Sequence, residues 1–377
     1  MTNSLNSDIC FIASSAGRPR VLKMARALSR RGARVTVLEW DRTAKLPKED
    51  LVNGVRVVRL RLKGNFGSRA ILEFPLWLFY VITFLARNRY DAVQPQNFDN
   101  LVPSLLLRPL MRFRIVYDLA DFYDSYLSNH RFVATLVRNI ERKAIRSADA
   151  MVMASEGQVS QVIPLNLPPK NTVVYNSPTD QELEVSSSYP KPQRHSGSLV
   201  LFYGGVLSSE RTTLLANLIK VVESMENLLL RIAGYGEAER FFNQRFRNTE
   251  YMGRLSHLDM LAEANDYDCV VIPSDSAFLN ARIGLPNKLF EALAQGRPAL
   301  TESGTLMARI VTTSGCGFAT DFKSLDKIRL TLDTIMRDRQ QLPRMGIEGR
   351  KLFERKYKWS FSEERLIDLY RGTLGYS

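Results

Sequence analysis

Residues 284–298 read GLPNKLFEALAQGRP, and this stretch sets the reading of everything around it. The Gly284-Leu285-Pro286 turn opens a helix whose first turns carry Asn287, Lys288 and Glu291. Short apolar runs flank it at Cys269–Ile272 and Pro298–Thr301, so the segment is a helix between two strands. The same alternation continues outward. Leu199–Tyr203, Leu228–Ala233, Glu250–Met252 and Gly317–Ala319 complete the strands of the second half. In the first half the expected strands are Ile9–Ala13, Val35–Glu39, Val55–Leu60, Ala92–Gln94, Ile115–Tyr117, Ala150–Met153 and Thr172–Tyr175. Between the first two lies a helix, Val21–Arg31, with Val21, Leu22, Ala25 and Leu28 on one face and basic residues on the other. Strands alternating with longer helical patterns are the mark of βα units and a mostly parallel sheet, so the fold class is α/β.

Ser177–Ser198 is rich in Ser, Pro and charge, lacks apolar periodicity, and reads as a linker. The chain of 377 residues then divides into two doubly wound, Rossmann-like domains over 1–185 and 195–357, followed by a terminal helix over 358–377. Two such domains are expected to face a central cleft at the carboxyl ends of their strands, where open α/β sheets bind ligands. With 45% hydrophobic and 24% charged residues the composition is that of a globular protein, which excludes disordered and collagen-like classes. Three cysteines, Cys10, Cys269 and Cys316, are too widely spaced for a metal knuckle and fit a reducing compartment.

The net charge is +13, of which residues 1–185 contribute +9. That surplus implies an anionic partner for the first half: nucleic acid, a phosphate-bearing substrate or an anionic lipid surface. Arg18, Arg20, Lys23, Arg26, Arg30 and Arg31 cluster in one segment, and Leu105–Arg114 (LLLRPLMRFR) alternates apolar with basic residues; both read as membrane-facing or as solvated helix faces. No aromatic-basic interleaving of the kind that stacks single strands stands out, which argues against nucleic acid. Phe74–Ala86 is too short to span a bilayer and reads as a buried helix or a helix that seats on a membrane. No secretory signal is visible at Met1–Ser7, so the expected location is cytoplasmic, peripheral on the inner face of the membrane.

The chemistry starts at the 287 helix. A helix N-terminus offers unpaired N–H groups and positive dipole to a phosphate, and Lys288 adds a point charge. The Glu291 carboxylate accepts two hydroxyl donors at once, as a ribose diol supplies. In the first half, Ile115–Tyr126 (IVYDLADFYDSY) is a strand running into Asp118, Asp121 and Asp124. Asp121 is the candidate for positioning or deprotonating a hydroxyl; its other reading is a turn or helix cap. The three histidines, His130, His195 and His257, sit in no catalytic motif.

PNKLFEALAQGRPAL (Pro286–Leu300) resembles the nucleotide-sugar-binding motif of the retaining GT-B glycosyltransferases of the large group 1, family 4-like class. Further segments agree in order: Ser14–Leu38, Ala144–Gly157, Val173–Pro178, Leu199–Ile219, Leu228–Glu237 and Tyr251–Asp275, with Tyr357–Leu374 similar to a last helix that crosses back onto the N-terminal domain. The resemblance implies a GT-B fold with an N-terminal acceptor domain and a C-terminal donor domain. It implies that Glu291 holds the donor ribose, while Gly284, Leu285, Pro286 and Asn287 line the diphosphate and sugar. Arg211 and Lys288 then neutralise the departing diphosphate, with Gly205 beside them in GGVLSSER. Gly234, Gly236, Arg254 and Leu255 shape the base pocket, and Gly17, Arg18 and Asp118 lie on the acceptor side. No metal and no other cofactor is implied. Departures are Ile283 where the motif often has a second glutamate, Val206 where it often has an arginine, and Ala120 where it often has a histidine.

The function so implied is transfer of a hexose, with retention, from a UDP- or GDP-sugar to a surface-glycan or lipid-linked acceptor in polysaccharide biosynthesis. The alternatives are a nucleotide-sugar epimerase on the same fold and a non-catalytic, membrane-associated scaffold.

Overall fold

β-Branched and aliphatic runs buried on both faces build two separate sheets, each continuous only within its own part of the chain. The computed structural model describes residues 4–64, 73–123, 131–162, 168, 170–189, 197–264 and 267–376. The chain divides into one unit of Met1–Tyr175 with Ser362–Ser377, and a second of Asn176–Phe361.

The first unit holds β1 (Asp8–Ala13), β2 (Arg34–Asp41), β3 (Glu49–Val52), β4 (Val55–Arg61), β5 (Ala92–Pro95), β6 (Arg114–Leu119), β7 (Ala150–Met153) and β8 (Lys170–Val173). They lie in the order β3-β4-β2-β1-β5-β6-β7-β8, parallel throughout except for the β3–β4 hairpin. Asn53 and Gly54, with φ of 51° and 80°, make the tight turn of that hairpin. Strand β3 has no counterpart among the sequence expectations: EDLV is an exposed edge with no apolar alternation, and only the Asn-Gly pair announces it. The Phe74–Arg87 helix buries Trp77, Val81 and Leu85, one residue per turn, and leaves Leu76 and Phe79 exposed. Trp77 stacks on Trp40 at 5.9 Å and donates to Asn100 Oδ1 at 2.9 Å. From Ser362 onward the last helix belongs to this unit. Ser362 Oγ accepts from the Tyr175 N–H at 3.0 Å, and the Tyr370 hydroxyl bonds Gln94 at 2.7 Å.

The second unit has β9 (Leu199–Val206), β10 (Leu228–Tyr235), β11 (Thr249–Tyr251), β12 (Cys269–Ile272), β13 (Ala299–Glu302) and β14 (Gly317–Thr320). Their order is β11-β10-β9-β12-β13-β14, all parallel. Leu201, Leu215, Leu230, Val271, Ile328 and Leu332 meet in its core. The division at Tyr175–Asn176 falls ahead of residue 185. Part of the expected linker is a helix, Asp180–Ser187, in which the Thr179 side chain accepts from Glu182 N–H and the Glu182 carboxylate from Thr179 N–H. That reciprocal cap is a Thr-x-x-Glu signal independent of apolar periodicity. Residues 190–196, Asp124, His130 and His195 lie outside the described residues.

One expectation changes with burial. Arg20 and Lys23 belong to the core side of the Pro19–Arg30 helix, not to a solvated basic face. The Arg20 guanidinium forms an ion pair of 2.8 Å with Asp118, which also accepts from Gln96 at 3.2 Å, and it donates to the Val174 carbonyl. Side-chain exposure of the pair is 7% and 1%, so neither charge has water as an alternative partner. Arg20→Ala strands the Asp118 carboxylate and is expected to lower unfolding free energy by about 3–5 kcal/mol in urea titrations. Replacing both residues by leucine and methionine should cost markedly less than the single change.

Candidate functional site

Strand β9 sits between β10 and β12, so the chain leaves it in one direction for β10 and β11 and in the other for β12 to β14. The crevice at the carboxyl end of such a strand is where open α/β sheets hold ligands. Gly204 and Gly205 lie there, just before Val206, the last residue of β9. Gly205 has a φ of 145°, and a Cβ on it would run into the Lys288 ammonium. Gly234, at the end of β10, faces the Gly205 carbonyl so closely that a Cβ would collide with backbone. The two strand ends therefore approach as bare main chain.

Onto this platform the Asn287–Ala294 helix directs its first turn. Pro286 stands at its N-cap with no side-chain cap bond; Leu289 N–H donates to the Pro286 carbonyl at 3.0 Å, and the Asn287 and Lys288 N–H groups face outward without a side-chain cap. Leu285 is buried beneath, and Gly284 closes the preceding short helix, Leu279–Ile283, through its N–H to the Asn280 carbonyl at 2.8 Å. Lys288 Nζ lies 4.0 Å from the centroid of the Tyr203 ring, a cation–π contact, and Tyr203 donates to the Val206 carbonyl at 2.7 Å. Arg211 enters from the first turn of the Ser209–Val222 helix, capped by Ser208, and hydrogen-bonds the Tyr203 hydroxyl. Burial and the Arg211 charge hold the Lys288 ammonium well below the usual lysine range, against a partial pull upward from Glu291. Burial also raises the Tyr203 phenol, while Arg211 opposes that shift.

Arg211, Lys288 and Glu291 are thus brought together with Gly205. Gly236 and Arg254 flank the same edge: the Arg254 guanidinium lies 4.4 Å from the Tyr235 ring, and Gly253 accepts from Gly234 N–H at 2.9 Å. Leu255 follows in the loop, half-buried, and Asn287 is half-buried at the helix start. A residue set aside in the sequence joins them. His257 Nδ1 is 3.8 Å from Glu291, and its Nε2 is 3.6 Å from Glu182. No spacing rule links residues 182, 257 and 291, because three different helices supply them.

In the first unit the equivalent edge is the carboxyl end of β1, β2 and β5. Gly17 N–H donates to Glu39 at 3.0 Å, and Arg18 is exposed at the start of the Pro19–Arg30 helix. Asp118 is committed to Arg20 and supports the edge from below. Asp121 is half-buried, its N–H donating at 3.1 Å to Asn97, which also takes the Ala120 N–H. Sequence reading missed Asp99 here. It is fully buried, and its pKa is pushed up to about 6 by burial, against hydrogen bonding from Ser14 and the charges of Arg18 and Arg42.

Two units, each built on a largely parallel Rossmann-like sheet, define the class: the GT-B fold. Residues 15–177 match the family model described as a glycosyl transferase 4-like domain, and residues 190–352 match glycosyl transferases group 1. The chain belongs to the group 1 GT-B glycosyltransferases and is a glycosyltransferase. Sucrose-phosphate synthase from Thermosynechococcus elongatus is similar with a TM-score of 0.79 at 12% identity, over 99% of this chain and 100% of its own. HepE from Anabaena, in complex with UDP and glucose, gives 0.66 at 14% identity, over 97% and 100%. WaaG, a glycosyltransferase involved in lipopolysaccharide biosynthesis, gives 0.66 at 14%, over 96% and 99%. No curated protein matches the chain in sequence.

A lysine held below its ordinary value of 10.5 destabilises the fold wherever the unfolded chain's amine is charged, and that cost fades as pH rises toward 10.5. Lys288→Met should therefore melt higher than wild type at pH 7. The difference in melting temperature should narrow on going to pH 10.

Proposed function

We propose that this glycosyltransferase moves a hexose, with retention, from a UDP- or GDP-sugar to a surface-glycan or lipid-linked acceptor. The observation that carries the reading is the convergence of Arg211 and Lys288 on an uncapped helix start above bare glycine backbone. Such a site binds a diphosphate and stabilises the charge that develops as it leaves. A diphosphate beside Lys288 offsets the burial and the Arg211 charge that hold its pKa down, so the attraction grows as the leaving group gains charge. Glu291, with His257 beside it, accepts the ribose diol. Asn287, Pro286, Leu285 and Gly284 border the diphosphate and sugar, and Gly236, Arg254 and Leu255 the base. Asp121 orients or deprotonates the acceptor hydroxyl, with Gly17, Arg18 and Asp118 on the acceptor side. That HepE is described with UDP and glucose, and MnaA of S. aureus with UDP, supports a uridine nucleotide as donor. No divalent cation is required in this reading, because the protein's own cations meet the phosphates.

The same proposal places the enzyme against an anionic membrane. No helix among the described residues is long and apolar enough to cross one. Exposed apolar side chains project from the Asn97–Met111 helix at Leu106 and Leu110, and from the Arg131–Ile145 helix at Phe132, Leu136 and Ile140. Arg112, Arg142 and Lys143 stand exposed among them, which suits an anionic interface better than the partly buried Arg18–Arg31 cluster does.

UDP at 100 times its dissociation constant should stabilise the wild-type protein by about 2.7 kcal/mol in thermal melts. Glu291→Ala should abolish that shift, and Arg211→Ala should reduce turnover of the UDP-sugar more than its affinity. Wild-type binding and rate in both variants would remove the donor assignment. Separately, the double change Leu106→Glu, Leu110→Glu should reduce sedimentation with phosphatidylglycerol vesicles while leaving the UDP shift unchanged.

A further inference from the structure

At the amino ends of its strands, the edge opposite the candidate acceptor residues, the first unit carries a cavity of about 870 Å³ that neither the donor nor the acceptor assignment uses. Strands β1, β6 and β8 begin at it with Asp8, Arg114 and Lys170, and the segments leading into β5 and β6 add Arg89, Asp91 and Arg112. Residues 372–375, at the end of the last helix, line it as well, as does Leu110, which is 78% exposed. Part of this charge is already matched. Asp8 pairs with Arg34, and Asp149 is shared between Arg114 at 3.0 Å and Arg108 at 2.9 Å. Asp91 accepts the Asp8 N–H at 2.8 Å, and Lys170 Nζ donates to the Gly372 carbonyl. Among the described residues Arg89 and Arg112 form no ion pair, and Lys170 meets no carboxylate.

Arg112 is the informative residue. It ends the Asn97–Met111 helix with φ of 57° and ψ of 26°, the left-handed conformation that crowds a Cβ and that glycine or asparagine usually fills. A cation near a helix carboxyl end is favourable, but Arg108 already supplies one in the last turn. An arginine kept at a glycine position, exposed and lining the same cavity as a second unpaired guanidinium, is accounted for by a ligand that takes the charge. The cavity also offers acceptors. The last carbonyls of a helix have no partner within it, so the helix ends at 110–111 and 372–374 stand beside the Asp91 carboxylate as places for hydroxyl donors.

We propose that this cavity binds a phosphorylated polyol, with Arg89, Arg112 and Lys170 holding the phosphate while Asp91 and the helix-end carbonyls accept from the polyol hydroxyls. The mixed lining selects this class. Bare phosphate leaves the acceptors unused, and a neutral polyol leaves the three cations unmatched. The glycerol phosphate headgroup of an anionic lipid and a free glycerol or sugar phosphate share this chemistry. The exposed Leu110, four residues along the same helix from the exposed Leu106, favours the lipid, and that source rests on the membrane reading given above. A headgroup seated in the cavity adds a specific contact to the general attraction between basic residues and an anionic surface.

The probes are glycerol 3-phosphate, glycerol and inorganic phosphate, titrated into the full chain by calorimetry, and vesicles of phosphatidylcholine with and without phosphatidylglycerol, sedimented with it. Glycerol 3-phosphate should bind more tightly than glycerol or phosphate. Arg112→Gly should weaken it at least about tenfold and leave the melting temperature close to that of wild type, because glycine suits the left-handed backbone. Arg89→Gln should weaken it as well. If Arg112→Gly also loses binding to phosphatidylglycerol vesicles, the ligand is the lipid headgroup; if its vesicle binding is unchanged while glycerol 3-phosphate is lost, the ligand is the free phosphorylated polyol. Glycerol 3-phosphate no better than glycerol or phosphate, or equal binding by wild type and both variants, overturns the site. Failure of the membrane reading shows separately, as wild type that binds glycerol 3-phosphate and sediments with neither vesicle.

Discussion

The ammonium of Lys288 over the ring of Tyr203 is the contact around which the second unit's strand ends are organised. A partly buried amine next to Arg211 is repelled by a like charge and deprived of water, and both effects lower its pKa. It is kept in place because the main chain of the two glycines just before the last residue of β9 leaves room for it, and because the aromatic face replaces part of the lost hydration. The glycine at 234 follows from the same requirement one strand over. So does the uncapped start of the Asn287–Ala294 helix: a side-chain cap at Pro286 would occupy the N–H groups that the site keeps open.

The first unit handles charge differently. Arg20 with Asp118, and Arg59 with Glu39 at 2.7 Å, are closed pairs with side chains at most 7% exposed. The Tyr117 hydroxyl bonds Glu141 at 2.8 Å inside the same layer. They tie helices and loops to the sheet: Arg20, on the Pro19–Arg30 helix, reaches the Val174 carbonyl just past β8, and Glu39 on β2 holds the Gly17 N–H. These contacts are worth more for register than for net stability, since each ion pair costs desolvation on both partners. Asp99 is the exception in this layer, being buried and bonded only to neutral donors.

How much of this was legible from the residues follows from what each element depends on. Parallel strands buried on both faces read as apolar runs, and twelve of the fourteen strands among the described residues fall within two residues of the expected spans at each end; β9 runs three residues further, to Val206, and the edge strand β3 is unread. The helix at 287 was legible because turn, cation and carboxylate lie within one short segment. The Asp180–Ser187 helix was hidden because its evidence is a cap and not a stripe. Asp99 and His257 were hidden for a deeper reason: their significance comes from neighbours far along the chain, Ser14 and Arg42 in one case, Glu182 and Glu291 in the other. The role of Arg20 reversed for the same reason, since a basic residue on a helix gives no local sign of a buried aspartate ninety-eight positions away.

Ile283 in place of a motif glutamate bears on how the site distributes its work. With an aliphatic residue ending the Leu279–Ile283 helix, the carboxylate nearest Lys288 on the donor helix is Glu291, and Glu291 is already shared with His257. On the donor assignment proposed above, a second carboxylate at 283 would bring further negative charge to the helix start that faces the diphosphate. Without it, the local balance of Arg211, Lys288, His257 and Glu291 shifts toward positive charge, which favours a dianionic leaving group over a neutral sugar hydroxyl. Under the same assignment, specificity for the sugar ring comes from backbone at Gly284–Pro286 and from shape, a weaker discriminator than a hydrogen-bonding carboxylate. On the proposed assignment, the consequence is a donor unit that reads the nucleoside diphosphate strongly and the hexose loosely, so that the product is set more by the acceptor.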